Sequence, residues 1–206
     1  MDEKVKHFDI RAHKKEMRDK YKQIRRDMSA DIKKERDNQI FSRLVDMDVY
    51  KNSTLILTYV STGIEVDTIR FIEHALKDNK TVAVPRCVDG TRNMDFYIIK
   101  SVDDLEEGSF SVLEPVPEKC EKLKAFGNAF CIVPALVYDS YGYRLGYGKG
   151  YYDRFLSAHK KDNMYLVGIG YCCCMVTKLM HGYYDVAVNT VVTEKYVKRC
   201  IKEEVK

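Results

Sequence analysis

The sequence predicts an α/β fold: a single-domain open sheet, largely parallel, with helices on both faces. Three observations carry that prediction. Apolar runs such as "TLILTYV" (54–60) and "AFCIVPALVYD" (129–139) are continuous, which suits strands buried on both faces rather than one. These runs alternate with segments of helical periodicity, the pattern of βα units. At 206 residues the chain is of one-domain size, and no repeat, low-complexity tract or linker divides it.

Taken in order, Ile10, Met17, Tyr21, Ile24 and Met28 fall at helical spacing with basic residues on the other faces, which predicts a basic N-terminal helix within 1–28. Ser29 is the expected N-cap of a second helix whose apolar side is Ile32, Ile40, Phe41, Leu44 and Val45. The run 54–60 is the first buried strand. Asp67 is placed to cap "TIRFIEHALKD", and "TVAVPRC" (81–87) and "MDFYIIK" (94–100) read as further strands. "SVDDLEEG" reads as a capped turn of helix, and "LEPVPE", with two of the four prolines, as a loop. The run 129–139 is the longest strand expected. It leads into a glycine loop and the helix "GYYDRFLSAHKK" (residues 139–157 hold the loop and most of that helix). "YLVGIGYCC" and "VAVNTVVTE" are the last strands, and "KRCIKEEVK" reads as a solvated tail.

Composition narrows the function. A formal charge of +4, spread along the chain, suits small anionic ligands and does not by itself indicate nucleic acid. No apolar run approaches the roughly 20 residues of a membrane helix. The charged N-terminus lacks the apolar core of a signal peptide, so a cytoplasmic location with no membrane partner is expected. Seven cysteines, three of them adjacent (Cys172 to Cys174), show no CxxC spacing. They read as reduced thiols in apolar positions rather than a disulfide framework or zinc site.

The chemistry concentrates in "YGYRLGYGKGYYDRFL" (141–156). Ligands of open α/β sheets bind beyond the carboxyl ends of the strands, and this loop follows a strand and opens a helix. Helix N-terminal amides favour anions, and glycines let a phosphate approach the backbone. Lys149 adds a point charge, Arg144 a fork of donors, and Asp153 a hard oxygen for the magnesium of a nucleotide. The string is neither a P-loop, since Gly150 follows Lys149, nor a Rossmann fingerprint.

"VPALVYDSYGYRLGYGKGYYDRFL" resembles the signature of the 5-formyltetrahydrofolate cyclo-ligases, also called methenyltetrahydrofolate synthetases. "KKEMRDKYKQIRRDMS", "EVDT", "VAVPRC" and "MDFYII" extend the resemblance along nearly the whole chain. It implies one domain over 1–206, of the sugar-isomerase and CoA-transferase type. It also implies conversion of 5-formyltetrahydrofolate and ATP to 5,10-methenyltetrahydrofolate, ADP and phosphate, with Mg²⁺. By resemblance, Lys14 and Arg18 reach ATP from the first helix, and Arg144, Leu145, Gly146, Tyr147, Gly148, Lys149, Gly150, Tyr151 and Tyr152 complete its site. Arg144 and Lys149 are the catalytic pair. Val60, Glu65 and Tyr151 meet the pterin, with Glu65 accepting from its guanidine-like edge. Asp153 and Asn189 are the metal ligands.

The chain departs from the family pattern in its last third. Tyr184 stands in place of a usual histidine, Asn189 in place of a second aspartate, and Cys174 where glutamine is common. Asn189 brings no negative charge, so a higher magnesium requirement is expected. The competing functions are a non-catalytic folate- or nucleotide-binding paralogue and an RNA-binding module. The latter is disfavoured by the absence of an aromatic RNA-binding motif. A monomer acting on a folate, polyglutamylated or not, is expected.

Overall fold

The computed structural model describes residues 9–108, 112–182 and 185–200. Helices are α1 (Ile10–Arg26), α2 (Ala30–Asp46), α3 (Asp48–Asn52), α4 (Ile69–Lys77) and α5 (Tyr151–Ala158). Strands are β1 (Leu55–Leu57), β2 (Thr81–Cys87), β3 (Met94–Ile99), β4 (Leu105–Glu107), β5 (Leu113–Pro115), β6 (Glu121–Lys122) and β7 (Phe130–Val133). They continue as β8 (Val137–Asp139), β9 (Arg144–Leu145), β10 (Tyr165–Ile169), β11 (Met175–Val176), β12 (Thr190–Val192) and β13 (Val197–Arg199).

The main sheet has the order β13-β12-β10-β7-β1-β2-β3-β6. Its centre, β12 to β2, is parallel throughout, and β13, β3 and β6 add antiparallel edges. Successive residues of a strand point to opposite faces. Accordingly Ile56, Phe130 and Ile132 pack with Ile40, Leu44, Tyr50 and Phe71 of α2 to α4. Leu57, Cys131 and Val133 pack on the other side with Phe126, Phe155 and Leu156. The strands are continuous apolar runs because each residue has a helix or loop to meet on its own side. The sheet order turns back between β1 and β7: β2 lies on one side of β1, and β7, β10 and β12 lie on the other. Crevices for ligands form beyond the carboxyl ends at such a point.

Several expectations change in detail. The run 129–139 is two strands in two sheets, because Pro134 has no N–H to extend the ladder. After it the chain turns into the small sheet β11-β8-β9, and the carbonyls of Ala135 and Leu136 accept instead from Arg25 Nη2, at 2.7 and 2.9 Å. In 54–60 only Leu55–Leu57 pair as strand; Thr58 to Val60 run on past the sheet, still buried. The proline-bearing "LEP" is an antiparallel strand on β4 rather than loop. Cys172–Cys174 form a 3-10 turn, not strand, and all seven thiols are free. Within "VAVNTVVTE" only Thr190–Val192 are strand, and Val197–Arg199 pair beside it where a tail was expected.

Local signals held elsewhere. Ser29 caps α2 through Ile32 N–H, and Ser101 forms a capping box with Asp104. Asp67 accepts from Ile69 N–H at 2.9 Å, although Thr68 is the N-cap position. Among the described residues no helix is long and apolar enough to cross a membrane.

Candidate active site

One cavity of about 580 Å³ opens at the switch point, over Tyr59 and Val60 beyond β1 and Pro134 beyond β7. Its lining includes the cations Lys14, Arg18 and Lys22 from α1, Arg144, and the glycine loop 146–150. It also includes the apolar Pro85, Met94, Val112 and Leu113 and the buried carboxylates Glu65 and Glu114.

The glycine loop is shaped by Asp139, which is fully buried at the end of β8. Its carboxylate accepts from Tyr141 N and Tyr143 N at 2.9 Å each, and from Leu179 N at 2.9 Å. That turn reverses the chain into β9, and Gly146 follows. Gly148 has φ +92°, and a Cβ there would lie 3.1 Å from Arg18 Cζ. Gly150, at φ +76°, is the N-cap of α5, where a Cβ would come 2.8 Å from an Arg154 nitrogen. Both positions need glycine for backbone sign, and at Gly148 the anchored Arg18 guanidinium also leaves little room. Arg18 Nε donates to Gly146 O at 2.9 Å, so α1 is tied directly to the loop.

Lys14, Arg18, Lys22 and Arg25 recur every three or four residues and so share one side of α1. The first three face the cavity, and Arg25 is buried behind it. Lys22 and Arg25 were missed by the sequence reading; their spacing from Arg18, beside the apolar Tyr21 and Ile24, was the signal available.

Arg144 and Asp153 meet as an ion pair, the guanidinium almost fully enclosed and the carboxylate 41% exposed. The other guanidinium nitrogen donates to Val186 O. Arg144 thus positions Asp153 beside the segment that carries Asp185, rather than lying open to a phosphate. Asp185 also lines the cavity, 3.9 Å from Lys14 Nζ. The sequence reading had passed it over. Asn189, by contrast, stands just before β12, near the amino ends of the parallel strands, and does not line the cavity. Its Oδ1 accepts from Leu166 N–H at 2.8 Å. The assignment of Asn189 as a metal ligand is therefore corrected: its oxygen is committed to the sheet. Tyr184 lies outside the described residues, and Cys174 is a buried thiol whose pKa burial pushes up to about 11.

Glu65 is 6% exposed, and its Oε2 accepts from Thr62 N–H (2.8 Å) and Thr62 Oγ1 (2.9 Å). Burial, and then the charge of the Glu65 carboxylate, raise the pKa of Tyr147 in the glycine loop. Tyr151 and Tyr152 follow at the start of α5 and both line the cavity. The Tyr152 hydroxyl is buried with no partner among the described residues. Cys87 sits beside Glu114 and Tyr151, its pKa pushed up to about 11 by burial and by Glu114. Glu114, whose carboxylate also accepts from Cys87 N–H at 3.2 Å, is a second carboxylate the sequence reading missed.

Comparison with known proteins agrees with this geometry. A model of the 5-formyltetrahydrofolate cyclo-ligase family matches residues 10–194. A probable 5-formyltetrahydrofolate cyclo-ligase of Caenorhabditis elegans is 30% identical over 156 residues, 71% of this chain and 76% of its own length. The mouse 5-formyltetrahydrofolate cyclo-ligase is 26% identical over 195 residues, 90% of this chain and 95% of its own. The solution structure of Aquifex aeolicus 5,10-methenyltetrahydrofolate synthetase superposes with a TM-score of 0.79 at 29% identity, covering 94% of this chain and 95% of that one.

Proposed function

The chain belongs to the 5-formyltetrahydrofolate cyclo-ligase family, its activity is the ATP-dependent conversion of 5-formyltetrahydrofolate to 5,10-methenyltetrahydrofolate, and we propose that the cavity between β1 and β7 is where this occurs. The observation that carries the proposal is the make-up of that cavity, where cations and a glycine loop line the same space as apolar walls and the buried Glu65 carboxylate.

The chemistry calls for such a layout. A formamide carbonyl is a weak electrophile, and its oxygen leaves poorly. Transfer of the terminal phosphoryl group of ATP to that oxygen breaks the bond to ADP and makes the oxygen a leaving group. The neighbouring folate nitrogen then attacks the formyl carbon, the carbon–oxygen bond breaks with its electron pair going to phosphate, and the ring is closed. The protein's task is to align the two substrates and stabilise the charge that moves.

The N–H groups of the glycine loop and the start of α5 would receive the phosphates. Lys149 would neutralise charge on the transferring group, and Arg18, anchored on Gly146, would hold the loop. Glu65 would accept from the amino-bearing edge of the pterin, with Val60, Tyr59 and Tyr151 against the ring. Asp153 and Asp185 fit a magnesium ion delivered with ATP: both are hard oxygen donors that line the cavity with the glycine loop. Among the described residues there is no group of three or more ligating side chains, which suits a cation held largely by phosphate and water. That ion would supply neutralisation of phosphate charge.

The test is purified protein with 5-formyltetrahydrofolate and Mg-ATP, followed by the near-UV absorbance of the methenyl product. The absorbance is expected to grow only with ATP present, and to fall when Lys149 is replaced. Turnover unaffected by changes to Lys149 and Glu65 alike would place the reaction outside this cavity.

A further inference from the structure

The loop that carries Glu65 is pinned at its backbone by two buried phenols. Tyr171 stands just past β10, fully buried. Its hydroxyl donates to Asp37 Oδ1 of α2 at 2.8 Å and, as a shared bond, to Glu65 O at 3.3 Å. The next carbonyl, Val66 O, accepts from the buried Tyr59 hydroxyl at 3.3 Å. Asp37 is itself buried, and its other oxygen is paired with Lys33 Nζ at 2.6 Å. The Arg25 guanidinium lies 5.6 Å from the centroid of the Tyr171 ring. The phenol is thereby fixed from α1 and α2 where it meets the loop. On the other side of the Glu65 Cα, the Glu65 N–H donates to Thr62 O at 3.0 Å. Both peptide groups that flank Glu65 are therefore held, and neither turns without giving up a buried hydrogen bond. The Glu65 side chain leaves the backbone in one direction.

We propose that Tyr171 is a positioning residue for folate recognition: through the Glu65 carbonyl, its hydroxyl keeps the Glu65 carboxylate aimed for the substrate ring. The inference rests on the reading of Glu65 as the acceptor for the pterin edge. Without the hydroxyl the loop spends part of its time in arrangements that turn the carboxylate elsewhere. Apparent folate affinity then falls by the fraction of molecules that remain competent. The residues assigned to phosphate belong to α1 and the glycine loop, and none of them takes part in these hydrogen bonds. Nucleotide affinity is a separate quantity.

The experiment measures binding of 5-formyltetrahydrofolate without nucleotide to the natural protein and to Tyr171→Phe, which keeps the ring beside Arg25 and removes both bonds. Folate binding is expected to weaken about tenfold, as it does when the competent arrangement falls to about a tenth. Affinity for a non-hydrolysable ATP analogue, and kcat at saturating folate and Mg-ATP, are expected to stay within about twofold. The same change is then made beside Glu65→Gln. An action through the carboxylate predicts that Tyr171→Phe costs that background about twofold at most, whereas a general loss of structure weakens folate equally in both. Tyr59→Phe, which releases Val66 O, is expected to repeat the pattern and decides the question if Tyr171→Phe does not fold. Unchanged folate binding, or an equal loss in both backgrounds, overturns the positioning role. Glu65→Gln that leaves folate binding unchanged overturns the reading of Glu65, and this inference with it.

Discussion

Lys149 is where a single residue should matter most to rate, because charge builds on the phosphoryl oxygens only as transfer proceeds. Lys149→Ala is expected to lower kcat by about 10²-fold or more, with folate affinity measured without ATP little changed. Steady-state rates beside a binding titration separate the two. The two positions considered for the metal are distinguished by metal dependence. Asp185 lines the cavity, whereas Asn189 is bonded to Leu166. Asp185→Asn is therefore expected to need about fivefold more Mg²⁺ for half-maximal rate, as a charged ligand is lost. Asn189→Ala should leave the magnesium titration in place and cost about 1–3 kcal/mol of stability, because Leu166 N–H loses its acceptor. The opposite pattern would return Asn189 to the metal site.

At the scale of elements, α1 does more than supply cations. Arg25 fastens it to the link after Pro134, donating to two buried carbonyls, while Arg18 fastens it to the glycine loop. Replacing Arg25 with Leu strands both carbonyls and is expected to destabilise the protein by about 2–6 kcal/mol, at about 1–3 per buried unsatisfied group. Denaturant unfolding with an unchanged m-value would bear this out; a loss under about 1 kcal/mol would mean that the link finds other donors. Gly148→Ala strains a left-handed backbone and presses on Arg18. Apparent ATP affinity is expected to fall while folate affinity holds, because the change loosens the tie between Arg18 of α1 and the glycine loop.

For the molecule as a whole, burial of thiols on both faces of the sheet sets an alkaline limit. Burial raises Cys131 to about 12 and Cys174 to about 11, and burial with Glu114 raises Cys87 to about 11, from an ordinary value of 9.0. Above pH 9 the unfolded chain releases these protons while the folded chain keeps them. Stability is thus full below pH 9 and declines as pH climbs towards 12. Unfolding free energies measured from pH 8 to 11 are expected to fall, and Cys131→Ala should make the decline shallower whatever it does to stability at pH 8. An unchanged slope would show that other groups govern the alkaline limit.

The sequence by itself determined those features that depend on near neighbours along the chain. Ser29, Ser101 and Asp67 satisfy amides two or three residues away, and the periodicity of α1 and the uninterrupted apolar strands needs no distant partner to be read. The glycines at 148 and 150 likewise announce a tight turn that opens a helix, because backbone sign is a local property. Tertiary structure decided what depends on residues far apart in sequence. Pro134 could break a run of eleven apolar-rich residues into two sheets only because Arg25, 110 positions earlier, receives the freed carbonyls. Asn189 and Asp185 differ by four positions, but the sheet register commits one to Leu166, and the chain's return past Arg144 brings the other to the cavity. The bond from Arg18 to Gly146 O joins a helix and a loop that the sequence shows only separately. Which polar group is spent on the fold and which is left for a ligand is set by hydrogen-bond partners across the chain, and those exist only once it has folded.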